Sequence, residues 1–378
     1  MSEPQIVSAP RYLPILRPVM SELDSLRGLA ILMVLVYHSY YWQTNLSVFP
    51  PIQRLFLTIT WTGRLGVNLF FVLSGFLITG ILVDSRSRTD YYKSFYIRRA
   101  LRIIPAYFLA ILIPVITGAS SLQFLGFSLI YLSNLTPLFG VPIAYPVLWS
   151  LSVEEHFYIV WPLLTRKLTN RVLFILSGTI IAVSPLLRLA TFYFELPKGW
   201  VDFQVFDYTW NSLDGLAFGA LLALVLREFP LDRKKLVLSL VSLATLGMVM
   251  LLAGLPFGIL NRHRPLGAAL QVVPWYFVFT ALLGFALLLG SGPWRSKTRN
   301  PILEFFGLIS YGLYLYHLFF FWLFEWLVRR GFIYKLQIDL FLGLTIRFLL
   351  VGTASVLFAW LSRRFLEDPF LRLKARWT

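Results

Sequence analysis

Long apolar stretches recur along almost the whole chain and constrain its fold more than any other feature. The hydrocarbon core of a bilayer is ~30 Å thick and takes ~20 helical residues to cross. Because backbone polar groups must be satisfied internally in lipid, we expect each stretch to be a helix. The sequence therefore predicts an all-α, polytopic membrane helix bundle of about ten transmembrane helices. The predicted spans are 26–43, 65–83, 101–118, 148–165, 172–194, 213–228, 236–255, 268–290, 303–327 and 338–362.

One further apolar segment, 121–138, is short and contains several polar residues. Cytoplasmic loops carry an excess of Lys and Arg. If 121–138 is re-entrant or interfacial, the loops on the side of the two termini hold 24 Lys and Arg, and the opposite loops hold eight. A full crossing would reverse every later loop and put most of that excess outside. We therefore predict ten spans in a multi-pass protein of the cell inner (plasma) membrane, with both termini cytoplasmic.

The chain divides into an N-terminal segment and one membrane domain. Positions 1–22 carry four prolines and no apolar core of the signal-peptide type, which predicts a cytoplasmic segment. The rest, 23–378, leaves no window for a soluble domain. The net charge of +16 comes from short loops rather than one basic face, so we expect lipid and no nucleic acid as a partner. The absence of cysteine excludes thiol chemistry. The sequence does not indicate an oligomeric state.

His38 is an imidazole that the sequence places deep in the first span. It lies twelve residues beyond Leu26, roughly 18 Å along a helix that rises 1.5 Å per residue. Ionisable groups inside a membrane are costly, so each needs a partner or a function. Imidazole suits a general base because it titrates near neutrality. A histidine hydrogen-bonded within the bundle is the alternative.

Arg99 and Arg102 are three residues apart and share one face of the helix that enters the membrane from a predicted cytoplasmic loop. Basic residues at this position commonly serve only as an orientation signal. The planar guanidinium group is also well suited to bind phosphate through two parallel hydrogen bonds. The pair is therefore either a topology signal or a phosphate-binding fork.

Glu154, Glu155 and His156 are consecutive residues within a predicted span. Adjacent helical residues diverge by ~100°, so these three side chains do not converge on one ion, and no metal site is predicted. We expect one of the two glutamates to face the interior of the bundle.

Two other segments combine small, polar and aromatic residues. The glycines and serine of 66–79 favour close helix packing. The segment 309–317 ends in His317, which is either a second catalytic or substrate-binding group or a structural hydrogen-bonding residue.

Together these segments resemble the acyltransferase 3 family of membrane-bound O-acyltransferases. Two positions depart from the family pattern, because His156 stands where Gln is usual and Asp368 where Arg is frequent. Since only sixteen residues follow the last predicted span, the resemblance is to a stand-alone transmembrane acyltransferase domain, 23–378. The matching stretches occur in family order and are Leu23–His38, Gly66–Thr79, Arg98–Pro105, Trp149–Pro162, Ser310–His317 and Glu367–Pro369.

The resemblance implies an acyl-CoA-dependent O-acyltransferase of the cell envelope. It would move an acyl group, with acetyl-CoA the expected donor, from the cytoplasm to a hydroxyl of an extracytoplasmic or lipid-linked carbohydrate. No metal is implied. His38 would be the catalytic base or carry the acyl group, Glu154 would orient or stabilise its imidazolium, and Arg99 and Arg102 would bind the CoA phosphates. Substrate-binding or supporting roles fall to Asp24, Arg27, Glu155, Asp214 and His317.

The carbohydrate or glycolipid acceptor is expected at the external loops, because aromatic side chains stack on sugar rings. An interfacial belt of tryptophans is the alternative. The loops are 42–64, 195–212 and 256–267, with Trp42, Trp61, Trp200, Trp210, Asp202 and Asp207.

A proton-coupled transporter or exporter of a glycan or small molecule is the rival function. In that protein the buried ionisable groups would form a proton relay. The candidate relay residues are His38, Glu154, Glu155 and His317.

Overall fold

A computed structural model of the chain describes residues 15–17, 19–42, 44–118, 120–195, 205–229, 232–292, 299–330 and 340–373. In that part of the chain all regular secondary structure is helical. The helices, numbered in chain order, are α1 (Ser21–Val36), α2 (Pro51–Thr60), α3 (Gly66–Asp84), α4 (Tyr91–Ile116), α5 (Leu122–Leu129), α6 (Leu148–Lys167), α7 (Asn170–Glu195), α8 (Thr209–Glu228), α9 (Arg233–Gly254), α10 (Pro265–Leu270), α11 (Val273–Gly290), α12 (Pro301–Arg329), α13 (Leu340–Ser362) and α14 (Asp368–Leu373).

Eight helical segments within the described ranges are long and apolar enough to cross a membrane. They match eight of the ten predicted spans. The other two, 26–43 and 148–165, correspond to α1 and α6. Helix α1 has 16 residues before it continues as a π turn, Tyr37–Tyr41, and α6 carries Glu154, Glu155 and His156 in its middle. The all-helical, multi-pass fold is confirmed, with about ten spans.

The ambiguous segment 121–138 does not form a further span. It contains α5, of eight residues, and a 3₁₀ turn, Ser133–Phe139. Between them the chain bends at Tyr131, whose φ of 58° lies in the left-handed region. Neither piece approaches the ~20 residues that a helical crossing requires.

The helices divide into a central and a peripheral set. In the most apolar windows of α8, α11 and α12, 61% to 67% of the residues are buried in the protein, against 22% in α7, α9 and α13. Because lipid is the remaining neighbour of an apolar side chain in a membrane, the second set forms the outer surface of the bundle.

Two glycines allow central helices to pack backbone against backbone. A Cβ atom at Gly28 of α1 would lie 2.0 Å from the carbonyl oxygen of Leu303 in α12. One at Gly75 of α3 would lie 1.9 Å from that of Leu216 in α8. Only glycine permits these approaches, as in other membrane helix pairs. The close helix packing predicted for 66–79 is therefore present at Gly75, where α3 contacts α8.

Candidate active site

A cavity of about 430 Å³ lies between α1, α3, α4, α6 and α12. Its lining includes Ser85 and Arg88, in the turn between α3 and α4, and also Ser150 in α6 and Tyr314 in α12. Pockets of roughly 300–1,000 Å³ are usual for small-molecule sites. The cavity is therefore large enough to hold a substantial part of a substrate.

The wall of this cavity carries a marked excess of positive charge. Its carboxylates are Glu154 and Glu155. With five guanidinium groups, the formal excess is three positive charges, and such a wall attracts anionic groups, phosphate in particular. The arginines that line it are Arg27, Arg88, Arg98, Arg99 and Arg102.

The two arginines of the predicted fork both line the cavity but differ in their surroundings. Arg99 Nε lies 3.6 Å from Glu155 Oε1, and its guanidinium lies 3.0 Å from the centre of the Tyr158 ring. For Arg102, no carboxylate among the described residues lies within 4 Å, and the nearby charges that act on it are mainly arginines. Arg99 is thus already paired, whereas Arg102 is available to an anion.

Glu154 is held on the cavity wall by two hydroxyl groups. Its Oε1 accepts a hydrogen bond from Ser74 at 2.9 Å, and its Oε2 accepts one from Tyr158 at 3.1 Å. Glu155 also lines the cavity, so both glutamates face the interior rather than one. Glu154 therefore supports the arginine wall, and the group that contacts His38 is a different one.

His38 faces His317. His38 lies in the π turn that ends α1, and its Nδ1 is 3.3 Å from Nε2 of His317 in α12, with the ring centres 4.8 Å apart. Turns of the π type are rare and frequently mark functional sites. The structure thus joins two histidines that the sequence could only treat separately.

Backbone carbonyls fix the tautomer of each imidazole. His317 Nδ1 lies 2.8 Å from the Tyr314 carbonyl and 3.1 Å from the Leu313 carbonyl, so it carries the proton and Nε2 is an acceptor. His38 Nδ1 lies 2.9 Å from the Val34 carbonyl, so it also carries a proton, shared with His317 Nε2. The basic nitrogen of His38 is therefore Nε2.

Tyr314 contacts both the cavity and His317 of the histidine pair. Its side chain lines the cavity, with its hydroxyl 2.6 Å from Ser150 Oγ and 3.2 Å from the Val147 carbonyl that accepts from it. Its ring centre lies 5.9 Å from that of His317. Tyr314 therefore connects the arginine-lined cavity with the imidazole of His317.

A second polar cluster lies near the π turn, where Arg64 and Arg262 are close enough to Tyr37 for their charges to act on it. Arg64 donates to Gln271 Oε1 at 2.8 Å and lies 5.0 Å from the centre of the Trp61 ring. Asp207 is close enough to Arg64 and Arg262 for their charges to act on it. Burial raises the pKa of Asp207 to about 7, and the two arginines oppose that rise.

Aromatic residues of the predicted acceptor region also lie here. The Trp42 ring is 5.4 Å from that of His38, and Trp210 stacks on Tyr208 with 4.8 Å between ring centres. Trp200 and Asp202, from the same prediction, lie outside the described residues. Of the described residues in the acceptor prediction, Trp42 is the one whose ring contacts His38.

The remaining predicted residues lie in different environments. Asp24 is 3.1 Å from Arg27, so it adjoins the cavity through that arginine. Asp214 does not line the cavity, and its carboxylate accepts from Arg188 at 2.8 Å with both side chains fully buried. That pair is a structural connection between α7 and α8. His156 lies 2.6 Å from the Thr209 hydroxyl and is likewise apart from the cavity.

Several residues of the site were missed from the sequence. They are the hydroxyl-bearing partners of predicted groups and one further arginine. Some signal existed, because Tyr158 follows Glu154 by one helical turn and Tyr314 precedes His317 by one. The missed residues are Ser74, Arg98, Ser150, Tyr158 and Tyr314.

No group of three or more His, Asp or Glu side chains within the described ranges is placed to hold a metal ion.

A family model described as an acyltransferase domain matches residues 20–364. The chain belongs to the acyltransferase 3 family. Every residue that lines the cavity, and both histidines behind it, fall within the region matched to this family. No solved structure matches the chain.

Relatives in the acyltransferase 3 family include an inferred O-acetyltransferase of Staphylococcus aureus, 28% identical over 400 residues, 95% of this chain and 57% of the relative. Peptidoglycan O-acetyltransferase OatA of Listeria monocytogenes is 31% identical over 171 residues, 39% of this chain and 24% of the relative. An inferred peptidoglycan O-acetyltransferase of Bacillus subtilis, YrhL, is 32% identical over 178 residues, with 40% and 24% covered. The chain thus spans 57% of the length of the staphylococcal relative.

Proposed function

We propose that this protein is a membrane O-acetyltransferase that moves an acetyl group from cytoplasmic acyl-CoA to a carbohydrate hydroxyl across the membrane. Family membership supports acyl transfer, and the names of the relatives support acetyl as the group and peptidoglycan as the acceptor class. The observation that carries the proposal is the arginine-lined cavity whose lining includes Tyr314, the residue in contact with His317. In this proposal 23–378 is one catalytic domain in the inner membrane, with both termini cytoplasmic.

The arginine wall would bind the phosphates of acyl-CoA. Arg102 supplies a guanidinium without a carboxylate partner among the described residues, and Arg98 and Arg99 each have a buried Nε with no hydrogen-bond acceptor there. Orphaned buried donors of this kind are costly unless a ligand satisfies them. Arg99 contributes positive charge while Glu155 holds it in place.

His38 Nε2 would take the proton of the acceptor hydroxyl as its oxygen attacks the thioester carbonyl carbon. The ester C–O bond forms, the thioester C–S bond breaks, and the departing sulfur takes up a proton. His317 Nε2 accepts from His38 Nδ1–H, so it orients the ring and stabilises the imidazolium. The same Nε2 could instead carry the acetyl group in a two-step route. Acid quenching with labelled acetyl-CoA and no acceptor distinguishes the routes, since only the second labels the protein.

The acceptor would bind on the side of the π turn away from the cavity. Trp42 lies beside His38, and Trp61 lies beside Arg64, which gives this side both stacking surfaces and charged hydrogen-bonding groups. Carbohydrate hydroxyls and ring faces suit such a surface. Donor and acceptor would then approach His38 from opposite directions.

Family membership favours this function over the transporter that the buried ionisable groups alone would allow. The test uses the purified chain in detergent with labelled acetyl-CoA and soluble peptidoglycan fragments. We expect CoA to raise the melting temperature, slow acetyl-CoA hydrolysis without acceptor, and label transfer to the glycan. A protein that ignores CoA in all three measurements would overturn the proposal.

A further inference from the structure

Arg347 is a cation in the first half of α13, and its side chain is only 15% exposed. A charged side chain within a membrane span is expensive, so it is retained where it has partners or a function. The α13 helix is otherwise apolar and peripheral, and Arg347 does not line the arginine-rich cavity. Its role is therefore to be found in its contacts.

Arg347 connects the two helices that carry the histidine pair. Its Nη1 donates to Glu325 Oε1 at 3.0 Å, and Glu325 lies in α12, two turns beyond His317. Its Nη2 donates to the carbonyl oxygen of Ser39, which directly follows His38. Its guanidinium lies 5.6 Å from the centre of the Phe321 ring, and that ring is 6.5 Å from His317.

The contact with Ser39 matters because α1 ends there. Trp42 N–H donates to the Tyr37 carbonyl at 3.0 Å, and Thr44 N–H donates to the Tyr41 carbonyl at 3.0 Å. The last carbonyls of a helix require partners from outside it, and an unsatisfied backbone group in lipid is especially costly. Arg347 supplies such a partner to Ser39, while Thr345 of the same helix lies 3.5 Å from the Tyr40 hydroxyl.

We propose that Arg347 is a positioning residue that fixes the π turn and thereby holds His38 against His317. It acts through the backbone of Ser39 and needs no contact with either substrate. The inference rests on the proposed function, because it assumes that the orientation of His38 limits acetyl transfer. A misplacement of ~1 Å at a reacting group can cost ~10²-fold in rate.

The experiment compares Arg347→Met, Arg347→Lys and Glu325→Gln with Arg364→Gln, a control that changes an exposed arginine 5.9 Å from Trp360. We expect Arg347→Met to lower kcat about 10²-fold with KM for acetyl-CoA within twofold. Arg347→Lys should have a kcat about tenfold higher than that of Arg347→Met, because the lysine amine still reaches the Ser39 carbonyl. The kcat of Glu325→Gln should stay within threefold of wild type, because the glutamine keeps an acceptor for Arg347 Nη1 and leaves the Ser39 contact intact.

A second readout reports on the imidazole itself. The chain has four histidines, so ¹⁵N-histidine spectra are simple, and His156 and His263 serve as internal references. Arg347→Met should move the His38 signal away from the single Nδ1–H tautomer and leave the references unchanged. If Arg347→Met does not fold, the same spectrum is recorded for Arg347→Lys, in which we expect a smaller shift of the His38 signal.

Three outcomes would overturn the inference. One is wild-type kcat in Arg347→Met, and another is an unchanged His38 signal in whichever Arg347 variant folds. The third is a loss in Glu325→Gln as large as that in Arg347→Met, since the ion pair rather than the carbonyl contact would then be responsible. Failure of the proposed function looks different, because the wild-type chain itself would then transfer no acetyl group from acetyl-CoA.

Discussion

Arg99 and Glu155 face each other across 3.6 Å on the wall of the cavity, so one arginine of the Arg99–Arg102 pair is already neutralised by the protein. Arg102, one helical turn further into the membrane, has no such partner among the described residues. From the sequence alone, Arg99 and Arg102 are predicted to contribute equally to binding the CoA phosphates. The ion pair with Glu155 predicts that Arg102 contributes more than Arg99.

Substitution by lysine tests this difference. Arg102→Lys should weaken CoA binding by about 1–3 kcal/mol, the range of a charge-assisted hydrogen bond, because an ammonium lacks the planar bidentate geometry. Arg99→Lys should cost less than Arg102→Lys, and Glu155→Gln should strengthen binding by releasing Arg99. Calorimetric titration with CoA measures all three.

Arg227→Lys is the matched control, since Arg227 pairs with Asp84 outside the cavity. Equal affinities of all variants would mean that the arginines serve only membrane orientation. Repeating the titration with dephospho-CoA shows which phosphate Arg102 binds. A loss with CoA alone would assign Arg102 to the ribose 3′-phosphate.

Removal of the His38 imidazole should stop acetyl transfer without affecting the cavity. His38→Gln is expected to lower kcat by at least 10²-fold, the lower range for loss of a general base. CoA affinity should stay within twofold, because His38 does not line the arginine wall. A variant that keeps more than about a tenth of the wild-type rate would remove His38 from the mechanism.

Substitution can separate the side-chain contact of Tyr314 with Ser150 and Val147 from its backbone contact with His317. Tyr314→Phe removes the hydroxyl that binds Ser150 and Val147, at a cost of about 1 kcal/mol in stability. The ¹⁵N spectrum of His317 should not change, because its partner is the Tyr314 backbone carbonyl. Ser150→Ala should show a similar loss of melting temperature, and an altered His317 tautomer in either variant would contradict the assignment.

Asp207 should make stability depend on pH in a specific direction. Its carboxyl has a pKa of about 7 in the folded protein and 3.8 as its ordinary value, so folding favours the protonated form. Its contribution is complete below about pH 4 and declines as the pH rises to about 7. Asp207→Asn should therefore raise the melting temperature above pH 7 relative to wild type and flatten its pH dependence.

The matched control for this titration is Asp232→Asn. Asp232 is an exposed residue that caps α9, where Asn also functions as a cap. Its substitution should leave the slope of melting temperature against pH unchanged. An Asp207→Asn variant with the wild-type slope would show that another group titrates.

Orientation in the membrane can be measured with single cysteines, because the chain has none. An impermeant thiol reagent should label Phe257→Cys on intact cells and should not label Ser87→Cys or Arg299→Cys. External labelling at position 299 without labelling at position 87 would mean that 121–138 crosses the membrane. Labelling at positions 87 and 299 but not at 257 would mean that the whole bundle has the opposite orientation.

The sequence predicted the spans well because apolar length is a local property. It placed His38 in the first span, but not in a π turn. That turn is held by Arg347, about three hundred residues away, so no local pattern could reveal it. The sequence also placed 101–118 in the membrane, whereas the helix begins at Tyr91 and so carries Arg98 and Arg99 on regular turns.

Partners of the charged groups were the least predictable part of the site. Glu154 was expected to act on His38, and the hydrogen-bond donors that the structure gives it are Ser74, eighty positions away, and Tyr158. Asp214 looked equivalent to other intramembrane acids until Arg188 proved to be its buried partner. Pairings of this kind depend on which helices become neighbours, and a single sequence does not contain that information.

The backbone contacts at Gly28 and Gly75 also bear on how the protein works. Where a glycine touches a carbonyl of the next helix, no flexible side chain lies between them to absorb a displacement. A rocking movement of α1 against α12, or of α3 against α8, would have to separate these close backbone contacts. We therefore expect these helices to stay fixed relative to one another. Substrate groups would pass through the bundle by rotation of single side chains, Tyr314 in particular, whereas alternating-access transporters move their substrates by tilting whole helices.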